Sequence, residues 1–363
     1  MAIALSLEDS RVVATVKAAE SELKQIWQAR DDALVKDRRL LSMQYKKRIF
    51  PFELVLTNDI PVQHAFSIAI LGGKAPLFRL PITLQSQEQR DKMNKAERFT
   101  TGVWREADKN HRLGGHNSLL FDTLFFGTLG AVCLFPLVVR RARRQPEFYV
   151  HVYDPINCYP DFGEYGLLRF IRSYTTTAQD AHAQAVAQGW DVDKIDLTKG
   201  DVEVVNFWER EDTEDGTKIW NTIVMGGAPV KPRTLHEQFD HIPIVMSPMN
   251  GIPMQPYMSP FTERQDALGN RAGSSDWGRP VFHMNRDIVP AFDRNATYMA
   301  EISRKQALPK FTYISEGGMQ TMDPAEFEKL MVINLAPGEE FAPVNVPTSP
   351  RERESIIQLL QEK

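Results

Sequence analysis

The stretch LLFDTLFFGTLGAVCLFPLVVRRARR, residues 119–144, decides how the whole chain is interpreted. Its part up to Val139 contains one charge, Asp122, and a group of arginines follows at once. This is also the pattern of a transmembrane helix with a cationic flank. Gly127 and Gly130, however, divide the run into an apolar helical half and a valine-rich half with the composition of a buried strand. We therefore predict a helix, a glycine turn and a strand, and keep a membrane span as a lesser alternative.

The arginines of this stretch, at positions 140, 141, 143 and 144, are predicted to form a hairpin tip. The segment PEFYVHVYDP follows them and reads as a second strand. A cluster of this kind is either a solvated turn or a patch that binds acidic or phosphate groups, and the sequence leaves both open.

Composition limits the classes of protein that fit. The chain has 363 residues, a formal net charge of −4 and 42% hydrophobic residues, and its mean hydropathy is −0.34. These values suit two or three globular domains or one elongated subunit, and they argue against a multi-span membrane protein or a globally basic nucleic-acid binder. The N-terminus lacks the features of a signal peptide, so we expect Cys133 and Cys158 to be reduced thiols.

Helical patterns dominate the first third of the chain and return near its end. Residues 8–48 show an amphipathic stripe, typical of one long helix or of a helix pair that breaks at Asp31 and Asp32. Residues 62–71 and 86–112 are predicted as two further helices. A second long helix is predicted over 281–307, with Pro290 either kinking it or marking its true start.

Strand patterns fill residues 147–247, interrupted by one alanine-rich helix at 178–190. The acidic turn EDTEDG, residues 211–216, is predicted to join two of these strands in a hairpin. Residues 308–347 read as a small β-α-β unit, with a strand at KFTYIS, a helix at DPAEFEKL and a strand at EEFAPVNV. The fold class predicted from these elements is α+β.

Catalytic motifs are not found in this sequence. It has no phosphate-binding loop and no GxGxxG after a strand. His111 and His116 are five residues apart, but the sequence near them offers no further ligands at metal-site spacing, and Asp122 is expected to be a capped or paired acid. We therefore expect no enzymatic activity, no catalytic residues, no metal site and no cofactor.

The order of elements resembles the portal proteins of tailed bacteriophages, also called head-to-tail connectors. The resemblance rests on an early proline-bounded extended piece, KAPLFRLPI, and on the helix that ends at Gly127 and runs into the apolar strand Val132 to Val139. It also rests on the turns at Asp154-Pro155 and Tyr159-Pro160 and on LPKFTYIS after the second long helix. The resemblance covers most of the chain, and it is carried by the order of these pieces.

The resemblance implies a portal-like subunit with five parts. Residues 1–250 are the wing, which combines N-terminal helices and a β-rich body, and 251–280 are a linker. Residues 281–307 are the first stem helix, 308–347 are the clip, and 348–363 begin a second stem helix. The family's tunnel loop and crown follow the second stem helix, and we expect the crown to be absent from this chain.

The resemblance also implies function and partners. Such a subunit forms a ring, in this family a dodecamer, at the unique capsid vertex of the virion, and DNA is packaged and ejected through the ring. Double-stranded DNA passes without sequence specificity. The expected partners are the terminase large subunit, the major capsid or scaffolding protein, and neck or adaptor proteins. The protein is expected in the host cytoplasm during assembly and in the virion afterwards, with no membrane contact.

Two groups of site residues follow from this map. The candidate channel or ring-interface residues lie on or beside the first stem helix, and they are Arg286, Asp293, Arg294, Glu301, Arg304 and Lys305. The candidate motor-docking residues lie in the clip, and they are Lys310, Glu326, Glu328 and Lys329. The charges on the stem helix are equally consistent with an ordinary solvated helix face.

A second hypothesis from a different class remains open. In it the chain is a soluble α+β enzyme or adaptor whose site is assembled from distant residues. That hypothesis predicts a compact pocket near Asp122, His116 and His151, and a small oligomer in place of a ring.

Overall fold

The computed structural model describes fourteen segments of the chain, namely residues 7–44, 56–74, 76–79, 87–139, 146–163, 166–198, 200–214, 216–250, 264–265, 271–272, 277–307, 311–315, 318–322 and 340–343. The chain is mixed α+β. It divides into two compact units, a first unit of Met1–Arg38 with Gln63–His283 and a second unit of Arg39–Val62 with Met284–Lys363.

The helices are α1 (Leu7–Leu41), α2 (Asp59–Gly72), α3 (Gln87–Leu113), α4 (Leu119–Thr128), α5 (Ala178–Gln188) and α6 (Ile288–Ala307). The strands are β1 (Ala131–Val139), β2 (Glu147–Tyr153), β3 (Cys158–Gly163), β4 (Gly166–Thr177), β5 (Asp201–Thr213), β6 (Gly216–Met225), β7 (Ala228–Leu235), β8 (Val245–Pro248), β9 (Arg264–Gln265), β10 (Arg271–Ala272), β11 (Phe311–Ser315), β12 (Gly318–Met322) and β13 (Glu340–Pro343). The helices predicted over 62–71, 86–112 and 178–190 are thereby confirmed within a few residues.

The opening stretch forms the predicted helix, turn and strand. Ser118 caps α4, and its side chain accepts a hydrogen bond from the backbone N–H of Phe121. The chain then turns at Gly130, whose φ is +124°, and continues as β1. Among the helices in the described part of the chain, none is both long and apolar enough to cross a membrane. The high local hydropathy arises because an apolar helix and an apolar strand, whose first three residues are buried, follow each other directly.

Strand β1 is the centre of a three-stranded sheet of order β2-β1-β8, and both of its neighbours run antiparallel to it. The predicted second strand is therefore confirmed as β2. The four arginines predicted to form the hairpin tip lie outside the described residues. Cys133 on β1 and Cys158 on β3 are both buried and free.

A five-stranded antiparallel meander, β3-β4-β5-β6-β7, forms the body of the first unit. Strands β5 and β6 form the hairpin predicted from the acidic turn EDTEDG. Strands β3 and β7 form the two edges of this sheet and lie within the predicted β-rich range 147–247. Tyr159 and Pro160, predicted as a turn, lie inside β3, where Pro160 is tolerated because β3 is an edge strand.

Helix α1 covers one face of this sheet. It is one uninterrupted helix that passes through Asp31 and Asp32, so the alternative of a helix pair is wrong. Its stripe buries Val16, Leu23 and Trp27 against the main core. The Trp27 indole N–H donates to the backbone oxygen of Pro160 at 2.8 Å, which fixes the helix against β3.

The opposite face of the same sheet is covered at one end by α5. Three alanines on one side of this helix, Ala178, Ala181 and Ala185, are almost fully buried and pack with a second cluster that includes Val204 and Ile223. Their small side chains let α5 approach the strands closely. The rest of this face lies beyond α5, and it forms the floor of a cavity described below.

The second unit contains α6 and a small three-stranded sheet of order β12-β11-β13. Helix α6 begins at Ile288, so Pro290 lies in its first turn, where proline is tolerated. A short 3-10 turn, His283–Asn285, precedes α6 in place of the predicted helical residues before 288. The strand predictions at KFTYIS and EEFAPVNV are confirmed as β11 and β13.

The predicted β-α-β arrangement of residues 308–347 is wrong in its topology. Strands β11 and β13 are direct neighbours and run antiparallel, and an additional strand, β12, pairs with the other edge of β11. The prediction missed β12 because GMQTM lacks a clear alternation of apolar and polar residues. The helix predicted at DPAEFEKL lies outside the described residues, as does the helix predicted from residue 350 onwards.

Candidate functional site

The candidate channel residues lie on or next to α6. Arg286 is half-buried just before the helix, and Arg294 is exposed on it. Glu301, Arg304 and Lys305 lie in the last two turns of the helix. All four candidate clip residues, Lys310, Glu326, Glu328 and Lys329, lie outside the described residues.

Asp293 differs from Arg286 and Arg294 because it is completely buried. Its Oδ1 accepts a hydrogen bond from the backbone N–H of Thr57 at 3.0 Å, and both residues belong to the second unit. Burial raises the pKa of Asp293, and the hydrogen bond from Thr57 opposes that rise. This carboxylate thus anchors the segment before α2 within its own unit.

The first unit contains a cavity of about 520 Å³, a volume typical of small-molecule sites. Its floor is the face of the five-stranded sheet opposite α1. Ser173 on β4 donates a hydrogen bond to Glu20 of α1, so the preceding residue, Arg172, points to the other face and into the cavity. The walls come from β1, β2, the end of α5 and the segment after β7.

One row of paired residues crosses the cavity floor from β4 to β7. Arg172 is opposite Asn206, Asn206 is opposite Ile223, and Ile223 is opposite Lys231. All four line the cavity. Directly opposed residues in an antiparallel sheet project to the same side, so the row places a cation at each of its ends.

Arg172 is held between two tyrosine rings. The central carbon of its guanidinium lies 3.9 Å from the ring centroid of Tyr153 and 4.2 Å from that of Tyr174. Such contacts stabilise the cation through the faces of the rings. They also fix its plane while its N–H groups, which lie in that plane, remain able to donate.

Lys231 is half-buried at the other end of the row. Its Nζ donates to the Asn221 side-chain oxygen at 2.8 Å and lies 3.0 Å from His236 Nε2. Burial lowers the pKa of Lys231. Burial, together with the nearby Lys231, also lowers the pKa of His236, which is consistent with a neutral imidazole that accepts from the ammonium group.

Aromatic rings form two walls of the cavity. Phe135, His151 and Tyr153 are nearly parallel, with interplanar angles of 8–24°. Trp208 lies 5.2 Å from His236 between ring centroids and 6.2 Å from Phe135. Burial is the main cause that lowers the pKa of His151, so this ring is neutral near pH 7 and acts as one more flat surface.

At the rim of the cavity, His111 and His116 meet Asp122. His111 Nε2 lies 2.9 Å from Asp122 Oδ2, and the two imidazoles stack with centroids 4.6 Å apart and planes 14° from parallel. One ligand atom from each of the three residues lies within 4.8 Å of the others. This cluster was not predicted from the sequence because its third member, Asp122, lies on α4. That helix folds back against α3 after the intervening loop. Parallel imidazoles point their nitrogens side by side, whereas a metal ion needs lone pairs that converge.

The pocket expected near Asp122, His116 and His151 has a counterpart in this cavity. His116 and His151 line it, and Asp122 adjoins it through His111. Arg172 and Lys231 were not among the predicted site residues. A cation at an inward position of a predicted strand was the signal that could have found them.

Comparison with models of known protein families gives no match, and no curated protein matches the sequence.

Proposed function

We propose that this chain is the portal subunit of a tailed bacteriophage. The observation that carries the proposal is the succession of α6 and the small sheet β12-β11-β13 in the second unit. The resemblance found in the sequence implies a stem helix that leads directly into a clip, and only residues 308–310 separate α6 from β11. The preceding order of α3, α4, β1 and the β-rich body is also the order that the resemblance implies.

The surface of α6 supports packing among several copies. Phe292 and Met299 are only half-buried within the chain, and Tyr298 is exposed. A helix whose apolar side chains are only partly covered within its own chain is better suited to a ring of neighbours than to a tight two-stranded coil. Arg294 is the described candidate best exposed for contact with a neighbouring subunit or with the channel. Asp293 is assigned an internal role because its carboxylate is already buried.

The charge balance of the chain fits a channel that conducts DNA. DNA affinity rises with the number of phosphates neutralised by lysine and arginine, and a conduit has to let the duplex slide. A net charge of −4 with both signs present on α6 suits that requirement. In this proposal the ring occupies the unique capsid vertex of the virion. It contacts the terminase large subunit, the capsid or scaffolding protein and the neck proteins.

Ring formation is the direct test of the proposal. We expect the purified chain to assemble into a ring of about twelve copies with a central hole, the number that the resemblance implies. Native mass spectrometry gives the copy number, and negative-stain images show the hole. A protein that stays monomeric or dimeric at micromolar concentration would instead favour the adaptor or enzyme hypothesis.

The clip assignment makes a separate prediction. Deleting residues 308–347 should abolish binding of the terminase large subunit while the ring still forms, because the clip is assigned to docking and the stem and wing to assembly. Pull-down with the terminase subunit and native mass spectrometry read out the two properties on the same preparation. Loss of the ring together with the binding would show that this segment belongs to the assembly interface.

A further inference from the structure

The cavity of the first unit is unusual in its charge. Among the described residues that line it are Arg172, Lys231 and four histidines, but no aspartate or glutamate. Burial lowers the pKa of Lys231. In the described part of the chain, Arg172 is held by tyrosine rings and Lys231 by neutral side chains. Both cations are half-buried, and withdrawing a charge from water without a counter-ion costs free energy. An anion in the cavity would relieve that cost at both ends of the row.

The two cations are placed to act on one ligand. Neighbouring strands lie about 4.8 Å apart, so three steps separate the Arg172 and Lys231 backbones by roughly 14 Å. Both long side chains extend over the same face, with Asn206 between them on the row. The stacked guanidinium offers a planar fork of N–H donors, which matches a carboxylate or a phosphate.

The walls select what accompanies the anion. Phe135, Tyr153 and Trp208 present flat apolar surfaces, and the neutral rings of His151 and His236 extend them. Flat rings bind best to other flat rings, by offset stacking or by edge contact. Asn206 and Gln238 add amide groups that can donate to or accept from ring substituents.

We propose that this cavity binds a small organic anion that consists of a planar aromatic ring carrying a phosphate or a carboxylate. Arg172 and Lys231 hold the anionic group, and the aromatic walls hold the ring. This site is distinct from the channel and the clip, and the inference stands whether or not the chain forms a ring.

The test is a binding titration of the intact chain by calorimetry, supported by the change in tryptophan fluorescence, because Trp190 and Trp208 line the cavity. The probes are adenosine 5′-monophosphate and 4-hydroxybenzoate. Adenosine and inorganic phosphate are titrated separately, because each carries only one half of adenosine 5′-monophosphate. We expect saturable binding at one site per chain, and at least tenfold weaker binding of either half alone. Arg172→Gln and Lys231→Met should each weaken binding by about ten- to a hundredfold, the usual effect of removing a charged hydrogen-bond partner.

Arg233→Gln is the matched control. Arg233 lies on β7, two residues after Lys231, but it is exposed and paired with Glu209 and Glu211. Its replacement should leave the affinity within about twofold, since surface ion pairs contribute little. Thermal unfolding without ligand shows whether each variant folds.

The outcomes separate clearly. Binding of only one of the two probes assigns the anionic group as phosphate or as carboxylate, and binding of both assigns a general site for planar anions. Absence of binding of both probes at millimolar concentration overturns the proposal. It is also overturned if adenosine binds as tightly as its monophosphate, or if Arg172→Gln and Lys231→Met both bind as the parent does.

Discussion

Replacing Gly278 with alanine is expected to lower the free energy of unfolding of the first unit by about 4 kcal/mol, at the upper end for a single substitution. Gly278 has a φ of +83°, and a Cβ at this position would lie 2.0 Å from the backbone oxygen of Gly130. The contact is with backbone on both sides, so no side chain can rotate away. The turn after α4 and the segment Trp277–Val281 would have to separate.

That separation would break the hydrogen bonds that join these segments. The N–H of Val281 donates to the Thr128 oxygen at 2.9 Å and joins them directly. Met249 bridges them, because its N–H donates to the Gly130 oxygen at 2.8 Å and its own oxygen accepts from the Arg279 N–H at 2.9 Å. Each buried backbone group left without a partner costs about 1–3 kcal/mol, in addition to the strain of alanine at positive φ. Urea unfolding followed by tryptophan fluorescence measures the loss of unfolding free energy. Trp277 is next to Gly278 in sequence, and its ring centroid lies 5.0 Å from that of Trp27.

Gly115→Ala is the control for the strain alone. Gly115 has a nearly identical φ of +84°, but a Cβ there would meet nothing within 4 Å. This variant should lose only about 1 kcal/mol. Equal losses in the two variants would mean that backbone conformation, and not the crossing of two segments, sets the requirement for glycine at 278.

The parts of the fold that could be predicted are those whose signal is local. Gly127 and Gly130 mark the change from α4 to β1, and the acidic turn marks the β5–β6 hairpin. The amphipathic stripe of residues 8–48 predicted that α1 has one buried face. In each case the residues that decide the structure lie within a few positions of one another, so periodicity and turn chemistry were sufficient.

The cavity could not be predicted in the same way. Its floor depends on the register that sets Arg172 opposite Asn206 and Ile223 opposite Lys231, and register is fixed by pairing between strands far apart in sequence. The β-α-β prediction failed for a related reason, since the partner of β11 was chosen by pairing and not by local pattern. The His111–Asp122 contact likewise joins two helices through a turn.

The second large effect is expected at Glu20, a carboxylate inside the apolar stripe of α1. Its side chain is 5% exposed and contacts Lys17 at 2.9 Å and Lys24 at 2.6 Å. Ser173 also donates to it, at 2.6 Å. Glu20→Gln should lower the free energy of unfolding by about 3 kcal/mol at pH 7, the lower end of the range for breaking a buried ion pair. The value is at the lower end because Lys17 and Lys24 are partly exposed and keep their ion pairs with Glu203.

Glu22→Gln on the same helix is the matched control. Glu22 is half exposed and binds Arg169, which keeps Asp161 as a second partner. Its loss should therefore stay below about 1 kcal/mol. A comparable loss in both variants would show that the helix tolerates no change of charge on this side, whether buried or exposed.

The pH dependence gives the sharper form of the Glu20 prediction. Burial by itself raises the pKa of Glu20, but hydrogen bonds from Lys24, Ser173 and Lys17 outweigh it and lower the pKa to about 2. A carboxylate with a lowered folded-state pKa stabilises the fold fully above its unfolded value of about 4.5, and this contribution is lost as the pH falls towards 2. The difference between the parent and Glu20→Gln should therefore shrink by about 2 kcal/mol between pH 7 and pH 3. Urea unfolding at the two pH values measures it. A difference that stays constant would mean that Glu20 acts through its shape and hydrogen bonds and not through its charge.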